Sequence, residues 1–144
     1  MTATNHVVTG MLVATFINNP LIALPVALAS HFALDAIPHF GFPTISKKFV
    51  IFYSADIGFA ASILAATLLL QPAGVWLLLV CGITAASPDL MWLHYLVVKR
   101  EQFNKKWPAI VRFHSKIQTE RLRYIVVEAA WLLIFGSLLV SRLY

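Results

Sequence analysis

Acidic residues are scarce in this chain, six among 144 residues, and cysteine occurs once, at Cys81. One thiol within an apolar stretch excludes an internal disulfide and a zinc knuckle and argues against redox chemistry. Charge of either sign is thin, 12% of residues against 60% hydrophobic, and the mean hydropathy is +0.80. That balance excludes a water-soluble globule and describes one integral-membrane domain over residues 1–144. Internal repeats and low-complexity tracts are lacking, and the first six residues lack the basic run of a secretory leader, so the start of the chain is expected to belong to the mature fold. The net charge of +5 reads as topology and contact with anionic lipid headgroups, with no nucleic-acid partner.

Hydrophobic segments of helical length fall at roughly 4–18, 20–37, 48–71, 73–97 and 122–142. The fold class expected is an all-α polytopic membrane bundle of about five membrane helices plus a basic interfacial helix. The first two segments are short for a bilayer, which leaves a thinned region or burial between the others as alternatives. Asn18-Asn19-Pro20 and Gln71-Pro72-Ala73-Gly74 read as tight turns. Gly58, Ala61, Ser62 and Ala65 in the third segment, and Gly82, Ala85 and Ala86 in the fourth, have the small-residue spacing of close helix packing.

Ten of the eleven basic residues occupy two connections: Lys47 and Lys48 in one, and Lys99, Arg100, Lys105, Lys106, Arg112, Lys116, Arg121 and Arg123 in the other. Both connections, and with them the N-terminus, are expected on the cytoplasmic side. Phe103, Trp107, Ile110, Val111 and Phe113 alternate with basic residues over 98–121, as in a helix lying among headgroups, with Pro108 dividing it. Trp76, Trp92, Trp107, Trp131, Tyr95, Tyr124 and Tyr144 are read as interfacial anchors.

Against this background, Asp35, Asp56, Asp89 and Glu128 lie inside hydrophobic segments, and ionisable groups at membrane depth mark a functional site by default. His6 lies 13 residues before Asn19 and His31 lies 12 after it, so an antiparallel hairpin sets them at one depth, roughly 18–20 Å from the turn. Asp56 lies 16 residues before Pro72 and Asp89 lies 17 after it, which matches their depths too. Glu128 follows Arg123 by five residues, and His114 sits in the basic segment, so these groups converge on one cytoplasmic layer.

Ser30-His31-Phe32-Ala33-Leu34-Asp35-Ala36-Ile37-Pro38-His39 carries the sharpest local pattern. His31 and Asp35 stand one helical turn apart on one face, the spacing at which an imidazole and a carboxylate bind one metal ion or two adjacent ones. Pro38 ends the segment and leaves His39 in a bent exit, turned back to the site or toward lipid phosphate. Plainer roles stand beside these: helix capping or interhelical hydrogen bonding for Asp56 and Asp89, pairing with a basic neighbour for Glu128, and an interface position for His94.

His6, the His31-x-x-x-Asp35-x-x-Pro38-His39 exit, Gly82 through Ser87-Pro88-Asp89-Leu90, and Arg112-Phe113-His114-Ser115 together resemble small bacterial integral-membrane proteins related to the LexA-regulated inner-membrane metal-dependent hydrolases. These are grouped more distantly with zinc-dependent phospholipase C and P1 nuclease. The resemblance implies a bacterial inner-membrane location. It carries the family's His-x-x-x-Asp onto His31 and Asp35, its N-terminal histidine onto His6, its Pro-Asp onto Pro88 and Asp89, and its His-Ser onto His114 and Ser115. Met91 and Trp92 stand where the family has acidic and histidine companions, which leaves one or two ions instead of three.

The function expected is a zinc-dependent, membrane-embedded hydrolase of phosphate esters or diesters, acting on a lipid at the cytoplasmic leaflet. His6, His31, Asp35, Asp89 and His114 are the candidate metal ligands. Asp56, as general base or as a carboxylate orienting a histidine, and His39 are the candidate catalytic groups. Lys47, Lys48 and Arg112 are candidates for holding substrate phosphate, although the positive-inside rule also accounts for them. The alternative is a non-enzymatic membrane protein, either a small metal or proton carrier or a structural subunit, using the same polar cluster.

Overall fold

A computed structural model describes residues 1–42, 46–92 and 109–144. Among these residues the chain is helical, with no strand beyond one isolated bridge. Helix α1 spans Ala3–Phe16, α2 Pro20–Asp35, α3 Lys47–Leu70, α4 Val75–Ala86, α5 Ala109–Ile117 and α6 Ile125–Leu143. Short 3₁₀ turns follow α4, at Ser87–Trp92, and precede α6, at Leu122–Tyr124.

Local chemistry sets the boundaries. Asn19 caps α2, its Oδ1 accepting from the Leu21 amide at 2.9 Å, and Pro20 opens the helix where a missing N–H costs nothing. Ser46 caps α3 by accepting from Phe49 N–H at 3.2 Å. The turn between α3 and α4 places Gln71 at φ 49° and Gly74 at φ 69°, left-handed backbone that glycine adopts without strain. Pro88 disfavours α-helix at the residue before it, so α4 stops at Ala86 and the chain tightens into the 3₁₀ turn that carries Asp89.

Two helical stretches, Lys47–Leu70 and Leu122–Leu143, are long and apolar enough to cross a membrane. Of the about five membrane helices expected, two meet that length among the described residues. At 1.5 Å per residue α1, α2 and α4, with 14, 16 and 12 residues, extend about 21, 24 and 18 Å against a hydrocarbon core of about 30 Å. The end of the expected fourth segment, residues 93–97, and residues 98–108 of the expected interfacial helix lie outside the described residues, with His94, Phe103, Trp107 and Pro108 among them. The described remainder of that segment is α5, which exposes Arg112, Phe113 and Lys116 and buries His114.

Helix α1 is the hub, packed against α2, α3, α4 and α6. Its residues Val7, Val8, Met11, Leu12 and Ala14 form the core with Ala23 and Ala27 of α2, Ala60 of α3, Leu78, Cys81 and Ala85 of α4 and Leu139 of α6. A helix apolar on most sides is buried on most sides, which is why α1 reads like a membrane segment. Helices α1 and α4 meet closely: a Cβ at Gly10 would lie 2.4 Å from the Cys81 carbonyl oxygen, and one at Gly82 would lie 3.2 Å from that of Val7. Gly58, by contrast, has open space around it. The small residues of α4 therefore pack on α1, while α3 turns Val50, Ile51, Ile57, Phe59, Leu68 and Leu69 outward. Trp131 donates from its indole N–H to Thr9 Oγ1 at 3.1 Å and stacks on Phe135.

Candidate metal centre

The first two turns of α1 collect the buried ionisable groups. His6 and His31 stack with ring centroids 4.1 Å apart, as their near-equal spacing from the α1–α2 turn allows. His31 and Asp35, one turn apart on α2, both point inward, and α5 brings His114 across them. The Asp35 carboxylate is the centre of the cluster. Its Oδ1 lies 3.1 Å from His6 Nε2 and against the Met1 amino group. Its Oδ2 lies 2.6 Å from His114 Nε2, 3.0 Å from Gln118 Nε2 and 3.3 Å from His31 Nε2. Asp89 closes the other side, with Oδ2 3.6 Å from His6 Nε2 and Oδ1 3.7 Å from His31 Nε2.

One ligand atom each from His6, His31, Asp35 and Asp89 fits within a mutual separation of 4.8 Å. Two imidazoles and two carboxylates are a zinc-like donor set. The 3.6 and 3.7 Å separations are long for hydrogen bonds and lie at and just beyond the edge of a coordination tetrahedron with bonds of about 2.0–2.2 Å, which is about 3.3–3.6 Å. The tautomer of His31 agrees. Its Nδ1–H donates to the Ala85 carbonyl at 2.8 Å, so in the neutral ring the Nε2 lone pair faces the carboxylates. The His31 lone pair and two carboxylates facing one another repel unless a proton or a cation lies between them, a charge that the Met1 amino group supplies at Asp35 Oδ1 alone.

Electrostatics point the same way. Burial pushes the His6 imidazole down to about 3 and lowers that of His31, so both rings are neutral, the form that binds metal. Burial opposes ionisation of Asp35, but its polar neighbours, His114 first, outweigh it and hold the carboxyl well below its usual range. Asp89 goes up, first through burial and then through the Asp35 charge beside it. Of the two carboxylates in this pocket, one is ionised against the Met1 amino group and the other resists ionisation.

Asp56 and Glu128 reach the same end of α1 but do different work. Asp56 accepts from the Ala3 and Thr4 amides at 2.7 and 3.3 Å. Glu128 Oε2 accepts from the Thr2 amide at 3.2 Å, the Thr2 hydroxyl at 2.9 Å and Asn5 Nδ2 at 2.6 Å. These carboxylates satisfy N–H groups that a helix start leaves without partners, and they sit at the positive end of its dipole.

His39, at the bent exit, is buried beside the cluster. A short bridge anchors it: the His39 amide donates to the Thr119 carbonyl at 3.1 Å, and the Arg121 amide donates to the His39 carbonyl at 3.0 Å. Lys47 and Lys48 are exposed at the start of α3, and Arg112 is exposed on α5, two residues from His114. The side chains of Ser115, Met91 and Trp92 lie outside the described residues. Gln118, Glu120 and the polar pair Thr2 and Asn5 were not singled out from sequence. Gln118 had a signal, the one-turn spacing from His114, whereas Glu120 is masked by the basic run around it. No family model, no curated protein and no solved structure matches the chain.

Proposed function

We propose that the chain is a membrane-embedded metalloprotein whose buried His6, His31, Asp35 and Asp89 hold a divalent ion, with zinc the best match to the donors, and that it hydrolyses phosphate esters or diesters at a membrane surface. The single observation that carries this reading is the four-donor cluster itself. A divalent ion held there would supply Lewis-acid activation of a water or phosphoryl oxygen entering beside the four protein donors. The chain's own residues orient that chemistry. Ala85 and Asp35 fix the His31 ring, Gln118 holds the far oxygen of Asp35, and His114, 2.6 Å from Asp35, is placed to take or give a proton. Lys47, Lys48 and Arg112 supply charge for an anionic headgroup, and the outward-facing apolar sides of α3 and α6 suit lipid.

Deep burial favours a second reading, a structural metal clasp. His6, His31 and Asp35 are fully enclosed, and the clasp would tie α1, α2 and the Ser87–Trp92 turn together. Metal analysis of purified wild-type protein beside His31→Ala and Asp35→Ala tests the ion, and absence of zinc from metal-replete wild type overturns both readings. Release of phosphate or headgroup from a phospholipid panel, abolished by Asp35→Ala, supports the hydrolase. Bound zinc that raises the melting temperature without any such release supports the clasp.

A further inference from the structure

We infer that a second cation site adjoins the first, made by His39 Nε2, Glu120 Oε1 and Asp35 Oδ1, so that Asp35 bridges two divalent ions; this rests on the metal centre proposed above. His39 is the starting point. Its side chain is 1% exposed, yet its Nε2 has no hydrogen-bond partner among the described residues. The other ring nitrogen is committed: Nδ1–H donates to the Ile37 carbonyl at 2.7 Å, so the neutral ring presents an Nε2 lone pair. That lone pair faces two carboxylates, Glu120 Oε1 at 3.6 Å and Asp35 Oδ1 at 4.0 Å. The arrangement resembles that of His31, with a backbone carbonyl behind the ring and carboxylates in front, Glu120 at a coordination-edge distance and Asp35 farther out.

The surroundings are built to hold this geometry. The backbone bridge between His39 and the 119–121 strand of chain fixes both donors on opposite sides of one gap. Gly41 gives Glu120 its seat: a Cβ there would lie 2.5 Å from Glu120 Cβ and 2.7 Å from Glu120 Oε2. Asp35 Oδ1 faces the Met1 amino group and His6, and Oδ2 faces His31 and His114, so an ion at His39 would take the place of the amine on Oδ1. Three protein donors leave a coordination position open, as reactive zinc sites do, whereas the inner cluster supplies four. Glu120 is 36% exposed, against 20% for Asp89 and none for Asp35. The outer ion is therefore the one a phosphate ester reaches.

The test is Zn²⁺ stoichiometry and stepwise affinity, measured by chelator competition on the full chain in detergent after stripping and reloading. Wild type is expected to bind two ions per chain. His39→Gln, Glu120→Gln and Gly41→Ala are each expected to bind one, the weaker step losing more than about tenfold in affinity, with unchanged elution on size exclusion. Gly41→Ala alters no ligand, and Glu120→Gln alters a partly exposed side chain, so either carries the test should His39→Gln fail to fold. One ion in wild type, retained unchanged in Glu120→Gln and Gly41→Ala, overturns the second site and leaves the first standing. No ion in wild type overturns both.

Discussion

The carboxylates around α1 form two pairs with the same burial problem and different solutions. Asp56 and Glu128 are neutralised by the helix: five hydrogen bonds from Thr2, Ala3, Thr4 and Asn5 reach them, and the dipole of α1 points its positive end their way. Asp35 and Asp89 face imidazoles instead, and two of those separations, 3.6 and 3.7 Å, are too long for hydrogen bonds. Asp56 has both oxygens answered by N–H groups, whereas Glu128 is answered at Oε2 and leaves a buried Oε1 without a hydrogen-bond partner among the described residues. A carboxylate that faces ring nitrogens at longer separations could hold a cation, so the contact partner, more than depth, separates the two pairs.

Asp35→Asn breaks the comparison most sharply. Asp35 contacts every histidine of the described cluster, so its loss is expected to take zinc from full occupancy to none in metal analysis, and hydrolysis with it. Asp56→Asn is its counterpart and is expected to leave zinc content unchanged while lowering stability by about 1–2 kcal/mol through the weakened cap, read by thermal melting in detergent. Equal zinc loss in the two variants would erase the distinction.

Metal removal sharpens the same point. Chelation is expected to lower the melting temperature of wild type and of Asp56→Asn by similar amounts, because cap and ion act through different partners and their effects add. In Asp35→Asn chelation is expected to change nothing. A shift there would place the ion elsewhere.

How much of this was legible follows from what each residue answers to. Equal counts from Asn19 brought His6 against His31, and one-turn spacing joined His31 to Asp35, because helical rise and pitch are fixed by the backbone alone. The same count put Asp56 and Asp89 at a common depth but could not assign their work, since capping α1 depends on where α1 begins beside α3. Glu120 was hidden because its partner His39 lies far away in sequence and meets it through a backbone bridge. The sequence left α1 open between spanning and burial for a plain reason: a helix wrapped by four neighbours and a helix wrapped by lipid are equally apolar.

Glycine contrasts give the next effect. Gly10→Ala sets a Cβ 2.4 Å from the Cys81 carbonyl oxygen and 2.7 Å from Ala85 Cβ, and overpacking of this kind costs about 1–3 kcal/mol. Pushing α4 from α1 also moves the Ala85 carbonyl that orients His31, so a several-fold weakening of zinc binding is expected alongside the lower melting temperature. Destabilisation with zinc affinity unchanged would show that the α1–α4 seam and the centre are independent.

Gly58→Ala is the smallest change and completes the series. Gly58 lies within α3 with nothing within 4 Å of its would-be Cβ, so the substitution meets no neighbour. Alanine lowers the backbone entropy lost on helix formation, a gain of up to about 1 kcal/mol. A melting temperature equal to or slightly above wild type, with full zinc content, is the expected result. A marked loss would mean that this face of α3 packs against another molecule, and that the small residues Gly58, Ala61, Ser62 and Ala65 serve a contact outside the single chain.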